Sequence, residues 1–238
     1  MDDFDLLNAQ QSPTANRPLL GLTVLVVEDS RFACEAIRLM CLRSGARIRR
    51  ADCLQSARRH LQVYRPSVLI VDLGLPDGSG AELITEMSGA NPRVSVLLGT
   101  SGDDGAEACV RAAGADDFLA KPLSNLSLFQ SVILSHLPAE RQPSGPRIIS
   151  GEEMLPDQVS YRDDLTHAAE LLTDSAEGPS LDYLAQFVYG VARSAHDEQL
   201  ERAARSLTLS RSEKRPTGSA LARLAGLVQE RLSERVAI

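Results

Sequence analysis

The sequence predicts an α/β fold, a doubly wound sheet of five parallel strands, followed by a small all-α domain. Three short, continuously apolar runs suit strands that are buried on both faces: 23–27, 67–71 and 94–98. Helical patterns alternate with these runs at short intervals, which favours parallel pairing with right-handed crossovers. In the last third of the chain, strand-like runs are absent and apolar residues recur at helical spacing.

A helix follows each predicted strand. Two weaker strand candidates, 47–50 and 117–120, complete the sheet. The five helices are expected at residues 31–44, 54–64, 80–88, 105–113 and 124–137. In the all-α domain, amphipathic helices are expected at residues 160–174, 180–195, 197–209 and 217–236.

The predicted domain organisation has four parts. We expect residues 1–20 to form a flexible leader with a short helical piece at 4–7, and residues 21–138 to form the α/β domain. Residues 139–158 are rich in proline, with serine and glycine, which is typical of a linker. Residues 159–238 form the helical domain.

Composition restricts the classes of function. The net charge is -7, and residues 151–238 alone hold 15 acidic and 10 basic residues. This balance argues against a domain that binds nucleic acid mainly through phosphate contacts, so we expect DNA to be an unlikely partner. A local basic helix within an acidic domain would still allow DNA binding.

The remaining composition indicates a cytoplasmic protein. The four cysteines contain no CxxC pair, which predicts reduced thiols rather than disulfides or a zinc site. The acidic N-terminus is unlike a signal peptide, and no apolar stretch approaches the ~20 residues that cross a bilayer, so no membrane insertion is expected. The second half carries no recognisable catalytic motif, so we expect no enzymatic output.

Polar residues come at the carboxyl ends of four predicted strands, where parallel sheets bind ligands. Glu28 and Asp29 follow the first strand, and Asp72 follows the third. Thr100 and Ser101 follow the fourth strand, and Lys121 follows the fifth. Clustered carboxylates raise one another's pKa unless a cation neutralises them, and oxygen ligands of this kind suit Mg²⁺. An aspartate beside Mg²⁺ can attack a phosphoryl donor to form an aspartyl phosphate, whose charge a lysine and a hydroxyl would stabilise.

Four motifs resemble, in order and approximate spacing, the landmarks of the bacterial receiver domain found in two-component response regulators: VLVVEDS, VLIVDLGLPDG, LLGTSGDD and GADDFLAKP. The resemblance covers about residues 20–138 and implies a flavodoxin-like fold. It implies that Asp72 is the phosphoacceptor and that Glu28, Asp29, Asp72 and the backbone carbonyl of Gly74 form the Mg²⁺ site. The phosphoryl group would come from a sensor histidine kinase or a histidine phosphotransfer protein.

The resemblance also implies a switch. Thr100 would be the switch hydroxyl, Lys121 the phosphate-pairing lysine and Phe118 the rotating aromatic residue, with a cis peptide bond before Pro122. The segment from Thr100 to Lys121 is one residue shorter than is common in the family. Ser101 therefore stays an alternative to Thr100.

Residues 184–207 resemble in pattern the central helices of histidine phosphotransfer domains. Gly190 and Leu200 fit that pattern, but Gln186 stands where the phosphorylated histidine is expected and Tyr189 where a lysine is expected. A glutamine amide does not accept a phosphoryl group, so such a domain would serve docking or dimerisation. An ordinary amphipathic helix hairpin is the alternative.

The sequence therefore predicts a phosphorelay response regulator that signals through protein contacts, including those of a homodimer. Two alternatives are left open. One is a DNA-binding transcriptional regulator, and the other is a phosphate sink without output.

Overall fold

A computed structural model describes residues 12–103, 105–143, 153–174 and 179–234. The helical piece predicted at residues 4–7 lies outside these ranges. Among the helices of the described residues, none is long and apolar enough to cross a membrane.

Five parallel strands form the main sheet. They are β1 (Thr23–Val27), β2 (Arg47–Ala51), β3 (Val68–Asp72), β6 (Val96–Ser101) and β7 (Asp117–Ala120). Their order is β2-β1-β3-β6-β7, so the direction of winding reverses between β1 and β3. A short hairpin, β4 (Gly74–Leu75) with β5 (Gly78–Ser79), follows β3.

Helices cover both faces of this sheet. They are α1 (Arg31–Ser44), α2 (Leu54–Val63), α3 (Gly80–Ser88), α4 (Ala106–Ala112) and α5 (Leu126–Ser135). Alternate residues of β1 enter different cores: Val26 packs with α1 and α5, and Val27 packs with α2, α3 and α4. This two-sided burial explains the continuously apolar strands. The predicted doubly wound fold is confirmed.

Most predicted boundaries shift by one to three residues, and the following differences have a clear physical reason. The fourth strand was predicted at 94–98 but spans Val96–Ser101, because Gly99 lies within the strand, under the side chain of Val110. Leu19, assigned to the leader, is fully buried in the core beside α1. Met154, assigned to the linker, is buried in the same core and its N–H donates to the Ser124 carbonyl at 2.9 Å.

Four further helices form a bundle. They are α6 (Gln158–Asp174), α7 (Pro179–Ser194), α8 (Glu198–Ser212) and α9 (Gly218–Ser233). Each helix contacts the next, and α9 returns to contact α6, which closes the bundle. Its core is apolar and includes Leu184, Val188, Leu200, Leu207, Leu224 and Val228.

Asp197 joins three helices of the bundle. Its carboxylate caps α8 by accepting from the Leu200 N–H at 3.0 Å. It also accepts from the hydroxyl of Tyr161 on α6 at 3.1 Å and from Nε of Arg231 on α9 at 2.7 Å. This one carboxylate therefore fixes the relative positions of α6, α8 and α9.

Candidate functional site

The acidic residues lie at the carboxyl edge of the sheet, where its winding reverses. Glu28 and Asp29 follow β1, and Asp72 ends the neighbouring strand β3. The start of α3 packs closely against this edge: a Cβ on Gly80 would lie 1.9 Å from the Asp72 carbonyl oxygen. Only glycine lets α3 begin so near to β3. Parallel pairing thus brings together three carboxylates that are distant in the sequence.

Lys121 lies between two of these carboxylates. Its Nζ is 2.7 Å from Oε2 of Glu28 and 3.0 Å from Oδ1 of Asp72. The second oxygen of Asp72 accepts from the Gly74 N–H at 3.2 Å. The Lys121–Pro122 peptide bond is cis, as expected from the resemblance.

The electrostatics favour a bound cation. Burial raises the pKa of Glu28, Asp29 and Asp72 to about 7 each, and the charge of Asp72 adds to the rise at Asp29. Burial alone would lower the pKa of Lys121, but Asp72 and Glu28 outweigh it and raise that pKa above its ordinary value. One ammonium therefore faces three carboxylates.

The donor set fits a hard divalent ion. One oxygen from each of Glu28, Asp29 and Asp72 lies within 4.8 Å of the others. Mg²⁺ prefers such oxygen ligands and usually shares its coordination sphere with water and phosphate. Gly74 lines the same cavity.

The two candidate hydroxyls are placed differently. Thr100 pairs in register with Asp72, is fully buried, and donates its hydroxyl to the Leu119 carbonyl at 2.7 Å. Ser101 lines the acidic cavity itself. Phe118 is half-buried and packs with the core under α2, α3 and α4, away from that cavity.

The helical bundle contributes residues that the motifs did not indicate. The Tyr183 hydroxyl donates to Oδ2 of Asp29 at 2.6 Å. Asp164 accepts from the Ser30 hydroxyl at 2.7 Å and from the N–H groups of Arg31 and Phe32 at 2.8 and 3.0 Å. These contacts join residues 132 to 154 positions apart, so no local pattern could have revealed them.

Helix α7 lies over the acidic edge. A cavity of about 40 Å³ separates the two and is lined from below by Asp72 and Lys121 and from above by Gln186, Tyr189 and Gly190. A volume of this size holds water. In the sequence, Gln186 marks only a departure from a histidine-containing pattern.

Comparison with known proteins identifies the first domain. Residues 24–133 match the response regulator receiver domain. The KDP operon transcriptional regulatory protein KdpE of Escherichia coli is 32% identical over 99 residues, which is 42% of this chain and 44% of KdpE. The virulence transcriptional regulatory protein PhoP of Salmonella typhimurium is 32% identical over 102 residues, 42% of this chain and 46% of PhoP.

A solved structure described as a response regulator from Chloroflexus aurantiacus is 28% identical, with a TM-score of 0.45. The match covers 48% of this chain and 98% of that one. The chain spans about half the length of the curated relatives it matches.

Proposed function

Because residues 24–133 form a response regulator receiver domain, we propose that Asp72 accepts a phosphoryl group from a sensor histidine kinase or a histidine phosphotransfer protein. One observation carries this proposal: Asp72 ends its strand beside Lys121, whose Nζ is 3.0 Å away, and among two further carboxylates. A buried aspartate in such surroundings is a nucleophile with a cationic partner for the product.

Mg²⁺ would be held by the side chains of Glu28, Asp29 and Asp72 and by the carbonyl of Gly74. When bound, the ion would neutralise the carboxylates and shield the incoming phosphoryl oxygens. An Asp72 oxygen attacks phosphorus, the bond from phosphorus to the donor nitrogen breaks, and Lys121 pairs with the new negative charge.

The switch is proposed to involve Thr100. Its hydroxyl now bonds to the Leu119 carbonyl, and it stands in register with Asp72. Rotation of the Thr100 side chain toward the phosphoryl group would break its hydrogen bond to the Leu119 carbonyl and change the packing near the half-buried Phe118. Ser101 lies closer to the cavity and is the alternative hydroxyl.

We propose that the bundle acts as a protein-interaction or dimerisation domain rather than as an enzyme with an external substrate. A second candidate, a DNA-binding transcriptional regulator, is favoured by the names of the two relatives, so the relatives do not support the expectation that DNA is an unlikely partner. A gel shift with phosphorylated protein would separate the two, because only DNA binding predicts a salt-sensitive, sequence-selective complex.

The phosphorylation is tested by incubating the full chain with acetyl phosphate and Mg²⁺ and measuring intact mass. We expect a gain of one phosphoryl group that is abolished by EDTA and by Asp72→Asn. Asp77→Asn is the matched control, since Asp77 lies in the same loop but caps α2 by accepting from the Leu54 and Gln55 N–H groups at 2.8 and 2.9 Å. Equal labelling of the Asp72→Asn variant would refute the assignment.

The output is tested by size-exclusion chromatography with light scattering, with and without Mg²⁺ and beryllofluoride. A change in mass or shape in the wild type, absent in Asp72→Asn, supports a switch coupled to the bundle. Fast loss of phosphate without such a change favours a phosphate sink.

A further inference from the structure

Helix α7 presents one face to the acidic edge. Tyr183, Gln186, Gly190 and Arg193 are spaced three or four residues apart and therefore lie on one side of the helix. Two contacts fix this face along its length: the Tyr183 hydroxyl donates to Asp29 at 2.6 Å, and the Arg193 guanidinium donates to the Gly102 carbonyl. Gln186 lies between these two contacts.

Helix α6 fixes the bundle from a second direction. Asp164 is only 2% exposed, and its carboxylate accepts from the first N–H groups of α1. Charge-assisted hydrogen bonds of this kind are short and geometrically specific. The neighbouring ion pair of Arg31 with Asp163 measures 2.6 Å. Gln186 is therefore held over the site by contacts from two helices.

The Gln186 amide lies directly against the loop that follows Asp72. A Cβ built on Gly74 would lie 2.5 Å from Nε2 of Gln186, so the amide occupies the space that only a glycine leaves open. The Gly74 N–H in turn donates to Asp72 at 3.2 Å. The amide and the carboxylate are thus neighbours of the same residue.

Water has access to this position. Gln186 lines the cavity of about 40 Å³ together with Asp72 and Lys121, and its side chain is exposed. A cavity needs about 10–15 Å³ to hold one water molecule, so the space is sufficient. A carboxamide offers both donors and an acceptor, which suits it to fix the orientation of a water molecule.

We propose that the bundle is an intramolecular phosphatase for the aspartyl phosphate at Asp72, with the Gln186 amide orienting the attacking water; this rests on the proposed function. The water oxygen attacks phosphorus and the bond from phosphorus to the Asp72 oxygen breaks. Both protons of the water leave with the phosphate, so the products are dihydrogen phosphate and the free Asp72 carboxylate. Glutamine orients the attacking water in the same way in GTP-hydrolysing proteins.

The same contacts would also obstruct an incoming phosphoryl donor. Obstruction changes the rate at which Asp72 is loaded, whereas an oriented water changes the rate at which the phosphoryl group is lost. The two rates are measured separately on the full chain, with acetyl phosphate for loading and, after removal of the donor, release of inorganic phosphate for loss.

Gln186→Met is the informative variant, because methionine keeps the length and volume of the side chain and removes the amide. We expect phosphate release to slow at least about tenfold, since loss of a positioned catalytic group commonly costs about a hundredfold or more. Loading should stay within about twofold of wild type. Gln229→Met, an exposed glutamine of α9, is the matched control and should match wild type in both rates.

A purely structural role for Gln186 would leave the release rate of Gln186→Met unchanged, and that result overturns the proposal. Faster loading with unchanged release also overturns it and makes the bundle only an obstruction. Accumulation of phosphoryl groups on Gln186→Met but not on wild type supports it. If neither protein is labelled while both melt at the same temperature, the proposed function itself has failed.

Discussion

The hydroxyl of Tyr183 donates a hydrogen bond to Oδ2 of Asp29 at 2.6 Å, so a residue of the bundle occupies an oxygen of a proposed Mg²⁺ ligand. Burial and the nearby charge of Asp29 raise the pKa of Tyr183, which keeps the hydroxyl protonated and able to donate. The Asp29 carboxylate therefore takes part both in docking of the bundle and in the proposed binding of the ion.

Replacement of Tyr183 by phenylalanine should strengthen Mg²⁺ binding. The Asp29 oxygen no longer has a competing donor, and a hydrogen bond to a charged group contributes about 1.5–3 kcal/mol, so the dissociation constant should fall at least about tenfold. Isothermal titration calorimetry measures the change. Tyr64→Phe is the control, since Tyr64 lies just after α2, away from the acidic cavity. Weaker binding in Tyr183→Phe would show that the hydroxyl supports the metal site.

Asp164→Ala should release the bundle from the receiver. The variant loses hydrogen bonds from the Ser30 hydroxyl and from the N–H groups of Arg31 and Phe32, and bonds to a charged group contribute about 1.5–3 kcal/mol each. Hydrogen exchange at the amides of Arg31 and Phe32 should become faster, and the radius of gyration from small-angle scattering should increase.

The adjacent acid provides the control for this change. Asp163 makes an ion pair with Arg31, and both side chains are well exposed, at 42% and 61%. Exposed pairs contribute about 0–1 kcal/mol, so Asp163→Ala should keep the compact shape. Equal effects of the two variants would mean that Asp164 has no special part in docking.

Asp197→Asn should destabilise the bundle in a pH-dependent way. Burial alone would raise the pKa of Asp197, but the Arg231 guanidinium, the Leu200 N–H and the Tyr161 hydroxyl hold it below its ordinary value. A lowered pKa contributes stability that is present above the unfolded value of about 3.9 and is lost as the pH falls through the folded value.

We therefore expect Asp197→Asn to lower the free energy of unfolding by about 2 kcal/mol at pH 7, with a smaller difference from wild type below about pH 4. Urea unfolding followed by circular dichroism at several pH values measures both. Glu198→Gln, whose side chain is 83% exposed, should unfold like wild type at every pH. A difference that grows on acidification would contradict this account.

Two glycines should respond to alanine in opposite directions. Gly226 is exposed within α9 and a Cβ there would meet nothing within 4 Å, so Gly226→Ala should stabilise the bundle by up to about 1 kcal/mol. In Gly80→Ala the new methyl group would clash with the Asp72 carbonyl, which should lower the melting temperature of the receiver. Stabilisation by both substitutions would contradict the packing described at Gly80.

Local patterns were sufficient to predict the sheet and its acidic edge. Asp72 and Lys121 come at the ends of apolar strands, and parallel pairing then leaves little freedom in where their side chains meet. The end of β6 was misplaced because Gly99 interrupts its apolar run, although the Val110 side chain fills the space above it. The end of β6 therefore depends on packing against α4, and a short window of sequence around Gly99 does not contain that helix.

The contacts of the bundle with the receiver were not predictable in this way. The carboxylate of Asp164 and the hydroxyl of Tyr183 each look like ordinary surface groups on an amphipathic helix. Their partners lie 134 and 154 positions away, and only the folded chain brings them together. The sequence shows Gln186 only as a substitution in a helical pattern, because its position against Gly74 depends on how the two halves of the chain pack.

The close approach of Gln186 to Gly74 has a consequence for how this protein changes over generations. Any residue larger than glycine at position 74 would displace the Gln186 amide. If position 186 carried a shorter side chain, this contact would no longer require glycine at position 74. Positions 74 and 186 should therefore vary together among descendants of this sequence. In a bundle exchanged between relatives, the residue at position 186 would keep its place beside position 74 only if the residue at position 74 were exchanged with it.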